Sequence, residues 1–299
     1  MFLIAAEEEN FSVAARKLHL SQPAVSFQIQ SLEEHLKVQL FQRTGKRIVL
    51  TEAGRDLMPL AREMISLAAR IEETMCMQQG IVKGQIQIAC STSPGKYILP
   101  HLIGAFRKKY PDVQVSVQVM SRESVEEKLL TKQMHVGLMS LPSKHKELDC
   151  VPIFDDELIL IVGSTHAWAN REAILPQELN DSDWILREGG AATRQLVTTT
   201  LAEHSIAANE MNVAMELGSV EAVEQAVEAG HGAAFVSRVA VKRGLEIGRI
   251  KTIPVDGLTM RRQILLARNR TRTNTCAQVR FQEFIQSDEG QQVISNIIK

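Results

Sequence analysis

The chain has 299 residues, of which 44% are hydrophobic and 23% charged, and its formal net charge at pH 7 is −1. This length predicts about two domains, and the nearly balanced charge excludes a bulk polycation that binds nucleic acid by charge alone. The cysteines, Cys76, Cys90, Cys150 and Cys276, are far apart, so we expect reduced thiols, no metal and no cofactor. The apolar start of the chain is too short for a signal peptide, and no segment is apolar enough to span a membrane. We therefore expect a cytoplasmic protein without a membrane partner.

Two short helices are predicted near the N-terminus. Ser12, preceded by Phe11, is the expected N-cap of the first helix, which ends near Leu18. A short turn leads to Ser21, the expected N-cap of the second helix. Pro23 falls in the first turn of that helix, where its missing N–H does no harm. Two helices joined in this way predict a helix-turn-helix.

The second helix has two different faces. An apolar stripe at helical spacing is formed by Val25, Ile29, Leu32 and Leu36. The other face is uncharged and rich in amides and hydroxyls, which can bond to base edges in the DNA major groove. The predicted DNA contacts on this helix are Ser21, Gln22, Pro23, Ser26, Phe27 and Gln30. Two interpretations of Phe27 stay open: contact with a thymine methyl group, or packing on a neighbouring side chain.

A basic hairpin is predicted next. Arg43, Lys46 and Arg47 surround a tight turn, and residues 48–50 form a short strand. Cations at the tip of such a wing can contact phosphates. The alternative is an ordinary solvated hairpin, but the preceding helix-turn-helix favours the DNA interpretation.

These motifs form one ordered pattern. It comprises Phe11-Ser12, Ala14-Ala15, Leu18 and residues 21–26, followed by Leu32-Glu33, Leu40-Phe41, Arg43 and residues 50–54. On these motifs the chain resembles the LysR-type transcriptional regulators. One departure is Phe27, because family members often carry arginine at that position. The DNA preference of relatives therefore does not transfer directly.

The resemblance implies an α/β fold with an N-terminal winged helix-turn-helix, a long linker helix and a two-subdomain effector domain of periplasmic-binding-protein type. The expected domains are residues 1–54, 55–83 and 84–299. Within the last, subdomain I comprises 84–162 and 266–299, and subdomain II comprises 163–265, with chain crossings near 160–164 and 265–268.

The resemblance also implies a function. A homodimer or homotetramer is expected to bind double-stranded DNA at an interrupted palindrome, with RNA polymerase as a candidate partner. A small, anionic effector is expected in the cleft between the subdomains.

A long helix from Glu52 to about Gln78, capped by Thr51, is predicted between the wing and the effector domain. Apolar residues on it are spaced as in a heptad repeat, namely Leu57, Ala61, Met64, Ala68, Ile71 and Met75. We interpret this stripe as a dimerisation seam. The alternative is an amphipathic helix that packs on its own chain.

Strands and helices alternate from Gln85 onward, which predicts parallel sheets with covering helices. The predicted strands are 85–90, 113–119, 136–139, 158–162, 213–217, 233–236 and 264–267. The predicted helices are 100–109, 122–132, 194–203, 220–229 and 277–286. In such folds small molecules bind at the carboxyl ends of strands, in the cleft between subdomains.

Hydroxyl groups follow several of these strand ends. The predicted effector contacts are Ser91, Thr92, Ser93, Ser140, Thr193 and Ser219. Free amides at helix starts suit a carboxylate, sulfate or phosphate, and by resemblance the cluster 91–93 and Thr193 match positions where relatives hold their effectors. The alternative for each is a simple helix cap; for Ser219 the cap is favoured.

Two other classes of protein are less consistent with the sequence than a regulator. A solute-binding module without DNA function would lack a helix-turn-helix. An enzyme is disfavoured because the sequence shows no P-loop, no G-x-S-x-G, no His-Glu-x-x-His and no convincing acid and base pair. A run of arginines without acids extends from Gly257 to Gln282. It indicates either a solvated face or an oligomer contact, or else one arginine that enters the cleft or pairs with acids of a neighbouring subunit.

Overall fold

The structure is a computed structural model that describes residues 1–44, 47–79, 81–204, 206 and 211–298, with the backbone only at 43, 44, 47 and 77. Lys46 of the predicted wing lies outside the described residues. Within that described part, none of the helices has the length and apolar character needed to cross a membrane.

The N-terminal unit begins with α1 (Phe2–Glu8), α2 (Phe11–Leu18) and α3 (Gln22–Leu36). The predicted Ser12 cap of α2 is wrong. The helix starts at Phe11, and Asn10 Oδ1 accepts hydrogen bonds from the backbone N–H groups of Ser12 (2.8 Å) and Val13 (3.1 Å). The Ser21 cap of α3 is confirmed, because its Oγ accepts from Ala24 N at 3.3 Å.

The wing is an antiparallel hairpin of β1 (Phe41–Thr44) and β2 (Arg47–Leu50). Phe41 and Ile48 are buried together with Val25 and Ile29 of α3 in one core. Glu33 of α3 also accepts hydrogen bonds from the backbone N–H groups at the start of the hairpin, at 2.7 and 3.1 Å. The hairpin is therefore held in a fixed position beside α3.

Helix α4 (Glu52–Met77) follows, and its predicted Thr51 cap is confirmed, because Thr51 Oγ1 accepts from Gly54 N at 3.1 Å. At its distal end, the buried carboxylate of Glu73 accepts a hydrogen bond from Ala277 N at 3.2 Å. The carboxylate also lies against Gly84, where a Cβ atom would clash with it. This contact joins α4 to the rest of the chain.

The C-terminal part contains nine more described strands and seven more described α-helices. The strands are β3 (Gly84–Cys90), β4 (Val113–Val119), β5 (Val136–Met139), β6 (Leu148–Gly163), β7 (Asp183–Arg187), β8 (Asn212–Leu217), β9 (Ala234–Ser237), β10 (Ile250–Thr252) and β11 (Met260–Asn269). The helices are α5 (Leu99–Lys109), α6 (Arg122–Leu130), α7 (Ala192–Glu203), α8 (Val220–Glu228), α9 (Arg238–Glu246), α10 (Cys276–Gln286) and α11 (Asp288–Ile298).

The sheets are mixed rather than purely parallel. Strand β3 is parallel to β4 and β5, as predicted. Strand β7 is parallel to β8, but neither β7 nor β10 was predicted as a strand. The long strands β6 and β11 run antiparallel to each other, and β11 is also antiparallel to β5. Strand β6 begins ten residues before the predicted start at Leu158. The helices α9 and α11 were not predicted.

Strands β6 and β11 pass from one subdomain to the other. Ile153 and Ile264 belong to the core of subdomain I, whereas Leu158 and Met260 belong to a core of subdomain II. The crossings therefore lie before the predicted segments 160–164 and 265–268. They occur where the two strands pair Asp156 with Arg262.

Candidate DNA-binding surface and effector cleft

The outward face of α3 is open to solvent. Gln22, Pro23 and Gln30 are exposed and Ser26 is half-buried. Phe27 is 67% exposed, so the packing interpretation of this residue does not apply within this chain. Gln30 Nε2 donates to Glu34 Oε1 at 3.0 Å, which leaves its carbonyl oxygen as the free acceptor.

The wing places its basic residues beside its turn. Arg43 stands opposite Ile48, and Arg47 opposite Thr44, at the ends of the paired strands. Arg16 and Lys17, in the last turn of α2, are exposed cations that the sequence analysis did not select. Lys17 pairs with Glu8, so Arg16 is the more available of the two. A basic residue at a helix C-terminus is a weak signal by itself, since the macrodipole favours it there in any protein.

The candidate effector cleft brings together five of the six predicted contacts. Ser91, Thr92 and Ser93 follow β3, Ser140 follows β5, and Thr193 lies in the first turn of α7; all five line one cavity of about 170 Å³. Because β3 and β5 are parallel neighbours, their carboxyl ends meet at the same edge, and Ser91 Oγ lies 3.4 Å from Ser140 Oγ. The cavity is small for a ligand pocket, so it suits a compact molecule.

The sixth predicted contact, Ser219, does not line this cavity. It is the N-cap of α8, and its Oγ accepts from Ala222 N at 3.2 Å. This position fits the cap that the sequence favoured.

A buried polar network connects the cleft to the crossing strands. Thr193 Oγ1 accepts from Arg262 Nη1 at 3.2 Å, and Arg262 donates in turn to Asp156 Oδ2 at 2.8 Å. The other oxygen of Asp156 accepts from Ser237 Oγ at 2.6 Å. The Arg262 and Asp156 side chains are only 4% and 1% exposed. Thr193 is therefore joined by hydrogen bonds to the residues at which the two strands cross.

The arginines that line the cleft are paired, and Glu123 adds a further acid to the lining. Each of its three lining arginines pairs with a carboxylate: Arg122 with Glu126, Arg187 with Glu188, and Arg262 with Asp156. Burial disfavours ionisation of Glu188, but hydrogen bonds from Arg187 and its own backbone outweigh this and lower its pKa. Hydroxyls and helix-start amides are thus the free donors for a ligand. Arginine 262 is also the member of the acid-free run that enters the cleft.

A clasp joins the subdomains beside the cleft. Lys96 Nζ and the Tyr97 hydroxyl, both on a short π-helical turn after β3, donate to Glu221 Oε1 of α8 at 2.7 and 3.0 Å. Burial would raise the pKa of Glu221, but the hydrogen bonds from Lys96, its own backbone and Tyr97 lower it to about 2. Burial and the contact with Glu221 raise the pKa of Tyr97. Glu221 therefore remains a carboxylate at neutral pH and keeps its contacts with Lys96 and Tyr97.

The predicted seam of α4 divides into two parts. Leu57 and Ala61 are half-buried and pack on the core of the winged unit. This part of the helix therefore packs on its own chain, which was the alternative to a dimerisation seam. Met64, Ala68, Ile71 and Met75 are exposed, and Met64 is 72% exposed. The distal half of the helix thus carries an apolar stripe without a partner in the described part of the chain.

Comparison with known proteins identifies the family. Residues 1–55 match the model of the bacterial regulatory helix-turn-helix protein, lysR family, and residues 79–289 match the LysR substrate binding domain. The chain belongs to the LysR family of bacterial transcriptional regulators. It is 34% identical over 283 residues to a probable RuBisCO transcriptional regulator of Trichormus variabilis, covering 94% of this chain and 84% of the relative. It is 31% identical to the RuBisCO operon transcriptional regulator of Allochromatium vinosum, covering 96% and 94%.

Solved structures of LysR regulators share the fold. CbnR complexed with its target DNA is 26% identical, with a TM-score of 0.67 and coverage of 95% of this chain and 96% of CbnR. The regulatory domain of Synechocystis PCC6803 CcmR in complex with 2-PG is 26% identical, with a TM-score of 0.62 and coverage of 68% and 96%. This LysR protein is thus a transcriptional regulator with an effector-binding domain, and its relatives are regulators rather than enzymes. The match to the lysR helix-turn-helix also excludes a solute-binding module without DNA function.

Proposed function

We propose that α3 reads base edges in the major groove through Ser21, Gln22, Pro23, Ser26, Phe27 and Gln30. The observation that carries this proposal is the exposure of an uncharged amide and hydroxyl face with Phe27 at its centre. Amides bond to adenine edges, and an aromatic ring contacts the thymine methyl group. The structure of the relative CbnR with its target DNA supports the same role for this unit.

The wing contributes contacts that do not depend on base sequence. Arg43, Lys46 and Arg47 neutralise phosphates on either side of the groove that α3 enters. Because such contacts release counterions, they make binding depend on salt. The contacts that hold the hairpin backbone beside α3 support this arrangement, since they keep the wing at one distance from the recognition helix.

The regulator acts as a homodimer or homotetramer, with α4 as the dimerisation helix. Its exposed stripe, Met64, Ala68, Ile71 and Met75, packs against the same stripe of a second copy, as in a short coiled coil. Two copies then present one recognition helix to each half of an interrupted palindrome. RNA polymerase is the candidate partner on DNA.

The effector is a small anionic molecule held by Ser91, Thr92, Ser93, Ser140 and Thr193. Hydroxyls and the amides at the start of α7 surround the cavity, and helix starts favour negative charge. The complex of the CcmR regulatory domain with 2-PG supports an effector at this domain in the family. An anionic ligand accepts a hydrogen bond from the Thr193 hydroxyl, whose oxygen already accepts from Arg262. The ligand thereby joins the network at the chain crossings and shifts the arrangement of subunits on DNA.

A gel shift tests the regulator role. Two DNA fragments serve as the first probes. One is the promoter region of a RuBisCO operon, which the names of the relatives suggest, and the other is the DNA upstream of this protein's own gene. We expect a shift whose affinity falls steeply with salt. Replacing Arg43 by alanine should weaken binding to specific and unrelated DNA alike and reduce the salt slope by about one. Binding that ignores the Arg43 change and the salt concentration would contradict the proposed wing contacts.

A titration tests the cleft separately. Small phosphorylated and carboxylated metabolites are screened for a rise in melting temperature, and the compound that binds is titrated into Ser91→Ala and Thr193→Val variants. We expect both substitutions to weaken binding by about tenfold or more, since each removes a hydrogen bond to a charged group. Ser219→Ala is the matched control, because this hydroxyl lies outside the cavity. Unchanged affinity in the first two variants would remove the cleft as the site.

A further inference from the structure

A second cavity lies where α4 meets subdomain I. It has a volume of about 490 Å³ and is bordered by α1, α4, the outward faces of β3 and β4, the segment between α6 and β5, and the segment after β11. We call it the joint cavity. The effector cleft is lined by other residues, so the two sites do not overlap. The volume is within the range of small-molecule sites.

Arg272 is the unusual residue of the joint cavity. Its Nη1 donates to the backbone carbonyls of Lys132 (2.6 Å) and Met134 (3.0 Å). Its Nε is buried without a partner, and among the described residues no carboxylate lies within 4 Å of the guanidinium. Burial lowers the pKa of Arg272 to about 10. A partly buried charge without a counter-anion is costly, which favours any anion that can reach it.

The other charges of the cavity also favour the binding of an anion. Its described lining carries Arg62, Lys128, Lys132 and Arg272 against the carboxylates of Glu7 and Glu73. Glu7 already pairs with Arg62 at 3.3 Å, and Glu73 bonds to the backbone at the start of α10. Neither acid therefore neutralises Arg272 or Lys132.

A neutral donor completes the lining. His135 Nδ1 accepts a hydrogen bond from Gln87 N at 3.0 Å, so the proton of the neutral ring sits on Nε2. Burial, together with the charge of Arg272, lowers the pKa of His135 to about 3. The ring thus stays neutral at physiological pH and offers an N–H.

We propose that the joint cavity is a second ligand site, which binds a small phosphate-bearing molecule through Arg272 and Lys132, with Arg62 on the α4 side. Both carbonyl bonds of Arg272 fall on Nη1, so its Nε–Nη2 edge is the one left for a ligand. A phosphate dianion accepts bonds from such an edge and retains oxygens for a lysine and a neutral N–H. Such a ligand contacts α4 and subdomain I at once. It therefore braces the helix that carries the DNA-binding unit against the domain that senses the effector.

Inorganic phosphate added to the full-length protein is the test, with sodium chloride at the same ionic strength as reference. We expect phosphate to raise the melting temperature by about 2–4 °C. Lys132→Asn should remove most of this shift. Lys132 has a φ of 57°, a conformation that asparagine tolerates, so this variant keeps the backbone. Arg272→Met should raise the phosphate Kd about tenfold or more.

Lys37→Asn is the matched control, because Lys37 is an exposed lysine with a φ of 58° at the end of α3, away from the cavity. It should keep the full phosphate shift. An equal shift in all variants would overturn the proposal, because phosphate also stabilises proteins in general by exclusion from their surface. The absence of a shift in the wild type would overturn it as well. Loss of the shift in Thr193→Val but not in Lys132→Asn would place phosphate in the effector cleft and overturn the joint site. The assay contains no DNA, so its outcome is independent of the proposed regulator function.

Discussion

At the scale of single residues, the pair of Asp156 and Arg262 is the most consequential contact. It is buried, it lies where both strands change subdomain, and it holds Thr193 of the cleft. Sequence alone did not indicate it, because both residues lie in the middle of strands and their encounter depends on the register of β6 against β11. Arg187 was missed for a similar reason, since a buried arginine in a strand has no local signal.

Replacing Asp156 by asparagine leaves a buried guanidinium without its counter-ion. We expect the free energy of unfolding to fall by about 3–5 kcal/mol, measured by urea denaturation. Asp149→Asn is the matched control, since Asp149 lies on the same strand and pairs with Arg268 of β11, but their side chains are 30% and 41% exposed. Exposed pairs contribute about 1 kcal/mol or less. Equal losses in the two variants would show that the buried pair has no special role.

His135 makes stability depend on pH. Its pKa is about 3 in the folded protein, against 6.5 for the free side chain, so the unfolded state takes up the proton first as pH falls. Its contribution is complete above pH 6.5 and is lost progressively between pH 6.5 and 3. We expect the stability of the wild type relative to His135→Gln to decline over this window in chemical denaturation series. Parallel pH profiles of the two proteins would contradict this assignment.

At the scale of elements, local signals located most boundaries but left some choices undecided. Ser12 and Asn10 are both good N-caps, and the choice between them depends on Phe11. The ring of Phe11 packs on Phe41 of the wing, and this contact favours a helix that already includes Phe11. The strand-end rule found the hydroxyls of the cleft because parallel neighbours end at one edge. It could not give the antiparallel pairing of β6 with β11, since a strand pattern does not reveal its partner.

The two halves of α4 should respond differently to substitution. Ile71→Glu places a charge on the exposed apolar stripe, and we expect it to shift the oligomer toward monomers by about tenfold or more in analytical ultracentrifugation. Leu57→Ala should instead lower the stability of the winged unit by about 2–3 kcal/mol and leave the association constant nearly unchanged. A dimer that survives Ile71→Glu would show that the stripe is not the seam.

At the scale of the whole molecule, the architecture followed from the resemblance carried by the first 54 residues rather than from composition. Length and net charge indicated only an ordinary two-domain protein. The joint cavity could not be predicted, because it is built from α4, α6 and the segment after β11, which lie far apart in the sequence. The pairing of the cleft arginines was only partly visible in the sequence. Arg187 and Glu188 are neighbours, but Asp156 and Arg262 lie 106 residues apart.

Recognition of DNA bases by α3 is the property on which the proposed function rests. Its direct test is the ratio of affinities for the operator and for a scrambled duplex at one salt concentration, measured for Gln22→Ala. Gln28→Ala is the control, because Gln28 is equally exposed on α3 but lies about one and two-thirds turns further along and points to another side. We expect Gln22→Ala to lower the ratio by about 5- to 150-fold, as for loss of a 1–3 kcal/mol base contact, and Gln28→Ala to preserve it. A ratio that Gln22→Ala leaves unchanged, or that Gln22→Ala and Gln28→Ala lower equally, would contradict base recognition by this face of α3.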